Sequence, residues 1–112
     1  MIKIGIDIVN IKRIEKLIEK FGIKKLKFLN EDEIYTNEPQ SIAGIFASKE
    51  AFSKALSTGI GKEFSFKDIS VLKDKKGKPF IEINSSKIKI KNCDVSISHD
   101  GGFAIAAVIV EI

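Results

Sequence analysis

The chain has 112 residues, 44% hydrophobic and 30% charged, with 19 basic and 15 acidic side chains and a formal net charge of +4. That fits one soluble globular domain, residues 1–112; no apolar run approaches the ~20 residues that cross a bilayer, and the mild positive charge favours an anionic partner without choosing among nucleic acid, nucleotide cofactor and acidic protein. A single cysteine, Cys93, forms no internal disulfide, and Met1 opens straight into an alternating segment with no signal peptide ahead of it, so the expected compartment is a reducing cytoplasm.

In chain order, the first predicted element is a strand. Ile2, Ile4, Ile6 and Ile8 point to one face, and Lys3, Gly5 and Asp7 to the other. Asn10 reads as the cap of a helix whose inner face is Ile11, Ile14, Leu17, Ile18 and Phe21 and whose stop is Gly22. Its outer face carries Lys12, Arg13, Lys16 and Lys20, diluted by Glu15 and Glu19. Asn30 to Tyr35 reads as a short helix capped by Asn30, with Glu31, Asp32 and Glu33 at the positive end of its dipole. Pro39 opens a longer helix running to about Ser57, apolar nearly all the way round, as expected of a central helix or one at a subunit interface. Strands follow at Phe66 to Leu72 and Phe80 to Ile83, around the turn Asp74 to Pro79, and at Val95 to Ser98 and Phe103 to Val110, around His99-Asp100-Gly101-Gly102. The last strand is apolar on both faces and belongs inside the sheet. Helices in the first half and hairpins in the second make the fold class α+β.

Several residues are candidates for chemistry. Asp7 sits near a strand end with Gly5 as its neighbour on that face; such an aspartate also commonly caps a helix or simply meets water. Glu50 falls in an apolar sector with Ala43, Phe46 and Ala47, where an unpaired carboxylate is costly and a cation is needed. Lys54, four residues on, supplies one as an ion pair, or Asp7 and Glu50 together suit Mg²⁺, which takes hard oxygen ligands and usually one or two carboxylates. Thr58-Gly59-Ile60-Gly61-Lys62 offers backbone amides and an ammonium to phosphate, or is an ordinary helix end. His99, the one histidine, stands at a strand end before a Gly-Gly turn.

The segments Gly5-Ile6-Asp7-Ile8-Val9 with Arg13-Ile14, Ala43 to Ala55 with its Lys49-Glu50-Ala51-x-x-Lys54 block, Thr58 to Gly61, and Ser96-Ile97-Ser98-His99-Asp100 ahead of Phe103 to Ala106 resemble the holo-acyl-carrier-protein synthases, in that family's order and across the whole chain. The resemblance implies a 4′-phosphopantetheinyl transferase-like fold and a reaction of fatty acid biosynthesis. The phosphopantetheine arm of coenzyme A passes to a serine of apo-acyl carrier protein, with Mg²⁺, releasing 3′,5′-ADP. It implies Asp7 and Glu50 as Mg²⁺ ligands and Glu50, Lys54 and His99 as catalytic groups. It places Lys49, Gly59, Gly61, Lys62 and His99 against the coenzyme, with no nucleic acid and no membrane as partners. It further implies a homotrimer, expected here to pack through the long helix and the C-terminal strands, with clefts between subunits. Arg13, Lys16, Lys20 and Lys24, with Lys25 just beyond, form the expected docking face for the acidic carrier protein. The chain departs from the family at Asn37 and Ile45, where relatives often carry a basic residue, at Phe103, where tyrosine is common, and at Ser57, where glycine is common. Competing readings are a basic nucleic-acid-binding module without catalysis, supported by a pI near 9.2 and the lysines between 73 and 91 but by no recognised motif, and a catalytically dead trimeric scaffold, opposed by the intact Asp7, Glu50 and Lys54.

Overall fold

The N-terminal alternation forms strand β1 (Ile2–Asn10), and Asn10 ends it by capping helix α1 (Ile11–Phe21), its side-chain oxygen accepting from the Lys12 amide at 2.9 Å. Gly22, at φ +78°, closes α1 with its amide on the Ile18 carbonyl at 2.8 Å. This computed structural model describes residues 1–57 and 64–112. Asn30 and Glu33 form a reciprocal capping box around a single 3-10 turn, Glu31–Glu33, and Pro39 opens helix α2 (Pro39–Ala55). Phe66–Asp68 is a 3-10 turn closed by its own box between Ser65 and Asp68, so strand β2 (Ile69–Lys73) starts three residues later than the apolar run suggests. Asp74 then accepts the Lys76 and Lys78 amides, each at 2.9 Å, and the chain returns as β3 (Pro79–Ile83). Strands β4 (Asn92–Asp100) and β5 (Phe103–Glu111) run right up to a two-residue turn whose glycines, Gly101 and Gly102, have φ +58° and +84°. Both central residues of such a hairpin turn need positive φ, hence the glycine pair.

Two sheets result. β1, β5 and β4 make an antiparallel sheet with β5 in the middle, as its two-sided apolarity requires, and β2 and β3 make a separate hairpin. Helix α2 crosses the inner face of the larger sheet. Its early part lies over β4, where Gly44 faces Ile97 and His99, and its later part over β1, where Gly5 lies against the backbone of Ala51 and Ala55. Ile42, Ala43, Ile45, Ala47, Ala51, Phe52 and Ala55 are all buried within the one chain. The helix's all-round apolarity therefore reflects its place in the middle of this core and not a subunit interface. The surplus apolar surface is elsewhere: Ile2, Ile4, Ile6 and Ile8 are 58–71% exposed on the outer face of β1, joined by Ile105 and Ile109 of β5. Phe21, expected in the core, is 48% exposed, with the Lys20 ammonium 5.2 Å from its ring centre.

Just past α2, Ser57 has φ +62°, a left-handed conformation that costs a non-glycine residue roughly 1–2 kcal/mol. This is one of the positions where the resembling family commonly has glycine. Ser57→Gly should relieve that strain, partly offset by greater freedom of the unfolded chain. A net gain of about 1 kcal/mol corresponds to a melting temperature roughly 4–8 °C higher in a small domain, readable by calorimetry.

Candidate active site

Asp7 lies at the fourth-from-last pair position of the β1–β5 ladder, opposite Ala106, on the inner face beneath α2. The Lys54 ammonium reaches across from α2 to the Asp7 carboxylate and the Ile6 carbonyl, both at 3.0 Å. Lys54 thus pairs with Asp7 and not with Glu50, the partner one helical turn away that spacing suggests. Glu50 is half-buried, and its carboxyl is pushed above the ordinary glutamate range, first by burial and then by the negative charge of Asp7; Lys54 and Arg13 pull in the opposite direction. Two carboxylates and two cations from β1, α1 and α2 therefore share one electrostatic neighbourhood. Among the described residues no three His, Cys, Asp or Glu side chains form a metal-holding group. The donor set fits an ion that needs only two carboxylates and takes its remaining ligands from water and phosphate, which is the habit of Mg²⁺.

Arg13 was expected with the docking lysines. Its guanidinium lies over the Phe46 ring, 5.5 Å from the centroid, and its charge acts on Glu50. Lys49 is a clearer correction. The side chain is fully buried, and its ammonium bonds the Glu33 carboxylate at 2.6 Å, the Phe28 carbonyl at 2.7 Å and the Phe66 carbonyl at 2.8 Å. An ammonium has three protons, all committed here, so Lys49 has none to give a coenzyme phosphate.

His99 stands on the far flank of α2. Its Nε2 is 2.9 Å from the Gln40 carbonyl, and with Tyr35, Ser41, Ile45, Lys73 and Ile97 it lines a cavity of about 210 Å³. Since α2 rises ~1.5 Å per residue, the Gly44 contact of His99 lies about 9 Å along the helix from Glu50. Within one chain His99 does not join Asp7 and Glu50. Gly59, Gly61 and Lys62 lie outside the described residues.

The family of 4′-phosphopantetheinyl transferases matches residues 3–108. The chain belongs to this family. It is 63% identical over 109 residues to the holo-[acyl-carrier-protein] synthase of Nautilia profundicola, covering 95% of this chain and 96% of that protein. The crystal structure of the Helicobacter pylori holo-[acyl-carrier-protein] synthase in complex with coenzyme A superposes with a TM-score of 0.90 at 51% identity, covering 96% of this chain and 99% of that one. The Bacillus anthracis enzyme, also solved with the coenzyme, gives 0.83 at 41% identity, over 97% and 95%. The α+β fold and the assignment as an enzyme, a phosphopantetheinyl transferase, stand on this agreement of sequence and structure.

Within this transferase, Lys16, Lys20, Lys24 and Lys25 are exposed along and just beyond α1. Ile45, at a position often basic in relatives, is instead a buried wall of the His99 cavity. Cys93 is half-buried, and burial, then Asp94, push its thiol up. No helix among the described residues is long and apolar enough to cross a membrane. Sequence reasoning missed Glu33, whose position in an acidic triplet reads as helix-dipole chemistry, and Phe46, which reads as generic core. The one available signal was Lys49 itself, a cation in the mostly apolar Ala43–Ala55 stretch and therefore in need of an anion.

Proposed function

We propose that this transferase moves the 4′-phosphopantetheine group of coenzyme A to a serine of apo-acyl carrier protein in cytoplasmic fatty acid biosynthesis, through the single unit 1–112. The observation that carries the reading is the convergence of Asp7, Glu50, Lys54 and Arg13 at one end of α2. Asp7 and Glu50 would hold Mg²⁺, which would supply positive charge to the phosphate oxygens. Glu50 would take the proton of the attacking serine, directly or through a water. The serine oxygen bonds to the β-phosphorus, the bond from that phosphorus to the bridging oxygen breaks, and 3′,5′-ADP leaves. Lys54, 3.0 Å from the Asp7 carboxylate, would neutralise charge that develops on the phosphates, the usual task of fixed cations in phosphoryl transfer. The test is direct: incubate the protein with coenzyme A, Mg²⁺ and apo-acyl carrier protein and weigh the carrier intact. A carrier heavier by one phosphopantetheine is the expected result; no gain on any apo-carrier would overturn acyl carrier protein as the acceptor.

Carrier docking falls to the exposed lysines of α1 and the turn beyond it. Each such contact is worth only ~0–1 kcal/mol, so they act together by steering encounter. Reversing Lys16, Lys20 and Lys24 to glutamate should raise the Michaelis constant for the carrier severalfold and leave that for coenzyme A nearly unchanged. If both constants stay put, the carrier docks elsewhere.

Assembly as a homotrimer completes the reading. The family resemblance supplies the number three, and the exposed isoleucine face of β1 and β5 supplies a surface a soluble monomer has little reason to keep. Light scattering at micromolar concentration should report three chains, and the double variant Ile4→Lys with Ile6→Lys should report one. A wild-type monomer with full activity ends this part of the proposal.

A further inference from the structure

Among the described residues, the fully buried Glu33–Lys49 pair is the one strongly ionic feature of the core that the proposed reaction leaves unused. Stability alone does not explain it. Burying two charges costs as much as their attraction returns, and apolar replacements of the same size are often at least as stable. What a caged ammonium adds is geometry, because its acceptors must stand at fixed points around it.

Those points belong to three separate segments. Glu33 accepts from Lys49 and from the Asn30 amide (2.7 Å) with one oxygen and from the Val71 amide (2.7 Å) with the other, so the anion is itself tied to β2. The other two acceptors are the backbone carbonyls of Phe28 and Phe66. The rings of these two residues close around Phe46, with centroids 4.9 Å and 5.7 Å away and 6.2 Å from each other. Phe46 sits one helical turn before Glu50, on the same side of α2, and carries the Arg13 guanidinium on its ring.

We propose that Lys49 is a positioning residue for the reaction: its cage sets the Phe28–Phe46–Phe66 cluster, and that cluster sets where Arg13 and Glu50 stand relative to Asp7. Lys49 touches no substrate. It acts through the rotation of α2 and through the aromatic shelf under Arg13. The inference rests on the reading of Glu50 as a metal ligand, so the experiment separates the two.

The readout is binding of Mn²⁺ alone, a paramagnetic stand-in for Mg²⁺, followed by the resonance signal of the free ion. Wild type, Lys49→Met, the neutral double variant Glu33→Gln with Lys49→Met, and Glu50→Gln are compared, each with its melting temperature. Loss of a residue that orients a ligand from behind typically weakens metal binding ~10–100-fold, and that loss is expected for folded Lys49→Met. Glu50→Gln should lose binding altogether. Should Lys49→Met fail to fold because Glu33 is left buried without a partner, the double variant removes both charges and carries the same comparison. Wild-type Mn²⁺ affinity in a folded Lys49 variant, with only the melting temperature lowered, would overturn the positioning role and leave a structural pair. Mn²⁺ binding by Glu50→Gln equal to wild type would overturn the metal reading itself.

Discussion

Glu50→Gln should lower Mg²⁺-dependent transfer at least ~10²-fold, the scale on which a general base or a metal ligand matters, and should do so without loss of stability. The two halves of this expectation have one cause. Burial and the charge of Asp7 both disfavour the ionised form of Glu50, so the folded enzyme holds that charge at a cost which a neutral amide of the same shape removes. The sign also fixes the pH behaviour. A carboxyl whose proton affinity is raised on folding contributes stability below its unfolded pKa and loses that contribution as pH rises through the folded one. That contribution belongs to the metal-free protein, because a bound cation favours the ionised form. Activity and melting temperature, measured side by side, decide the matter: near-normal turnover in Glu50→Gln would reduce Glu50 to a structural carboxylate, and a large fall in melting temperature would say its role is in the fold.

Much of this architecture is written in local patterns. The alternation of β1, the Asn10 cap, the Gly22 stop, the proline at the start of α2 and the Asp74 and Gly101-Gly102 turns each depend on residues a few positions apart, and each is where the pattern places it. Pairings between distant segments were not legible. Lys49 belongs to a conspicuous motif, but nothing local says that its charge is spent on Glu33, sixteen residues back, and on two carbonyls, so it reads as a ligand-binding lysine. Lys54 lies one turn from Glu50, and spacing alone cannot show that Asp7 on another element competes for it and wins. The outward face of β1 was hidden for a different reason. Pattern reading sends the larger apolar side chains inward, whereas here the isoleucines face out. The face that meets α2 carries Gly5, because a helix backbone can approach a strand this closely only where there is no side chain.

Gly5→Ala therefore should be among the most damaging single changes in the chain. A Cβ at position 5 would stand 1.9 Å from the Ala51 carbonyl oxygen, 2.7 Å from the Ala55 amide nitrogen and 2.9 Å from the Ala51 carbonyl carbon. All three are backbone atoms of α2, so no rotamer change relieves the contact. Strand and helix must separate by more than an ångström, opening the tightest layer of the core. Overpacking of this kind costs 1–3 kcal/mol and occasionally more, or roughly 10–20 °C in melting temperature for a small domain at the upper end. The site should suffer with the fold, because Asp7 is two residues from Gly5 on the same face of β1 and Glu50 immediately precedes Ala51. Gly44→Ala is the control. It too adds a methyl under α2, but the nearest atom, at 3.0 Å, is the Cγ2 of Ile97, a side chain that can shift, and alanine in a helix interior recovers about 0.5–1 kcal/mol relative to glycine. Thermal melts of the two variants should differ by at least several degrees, with Gly44→Ala close to wild type. Equal melting temperatures would mean that β1 and α2 do not touch at Gly5, and the placement of Asp7 beside Glu50 and Lys54 would fall with that contact.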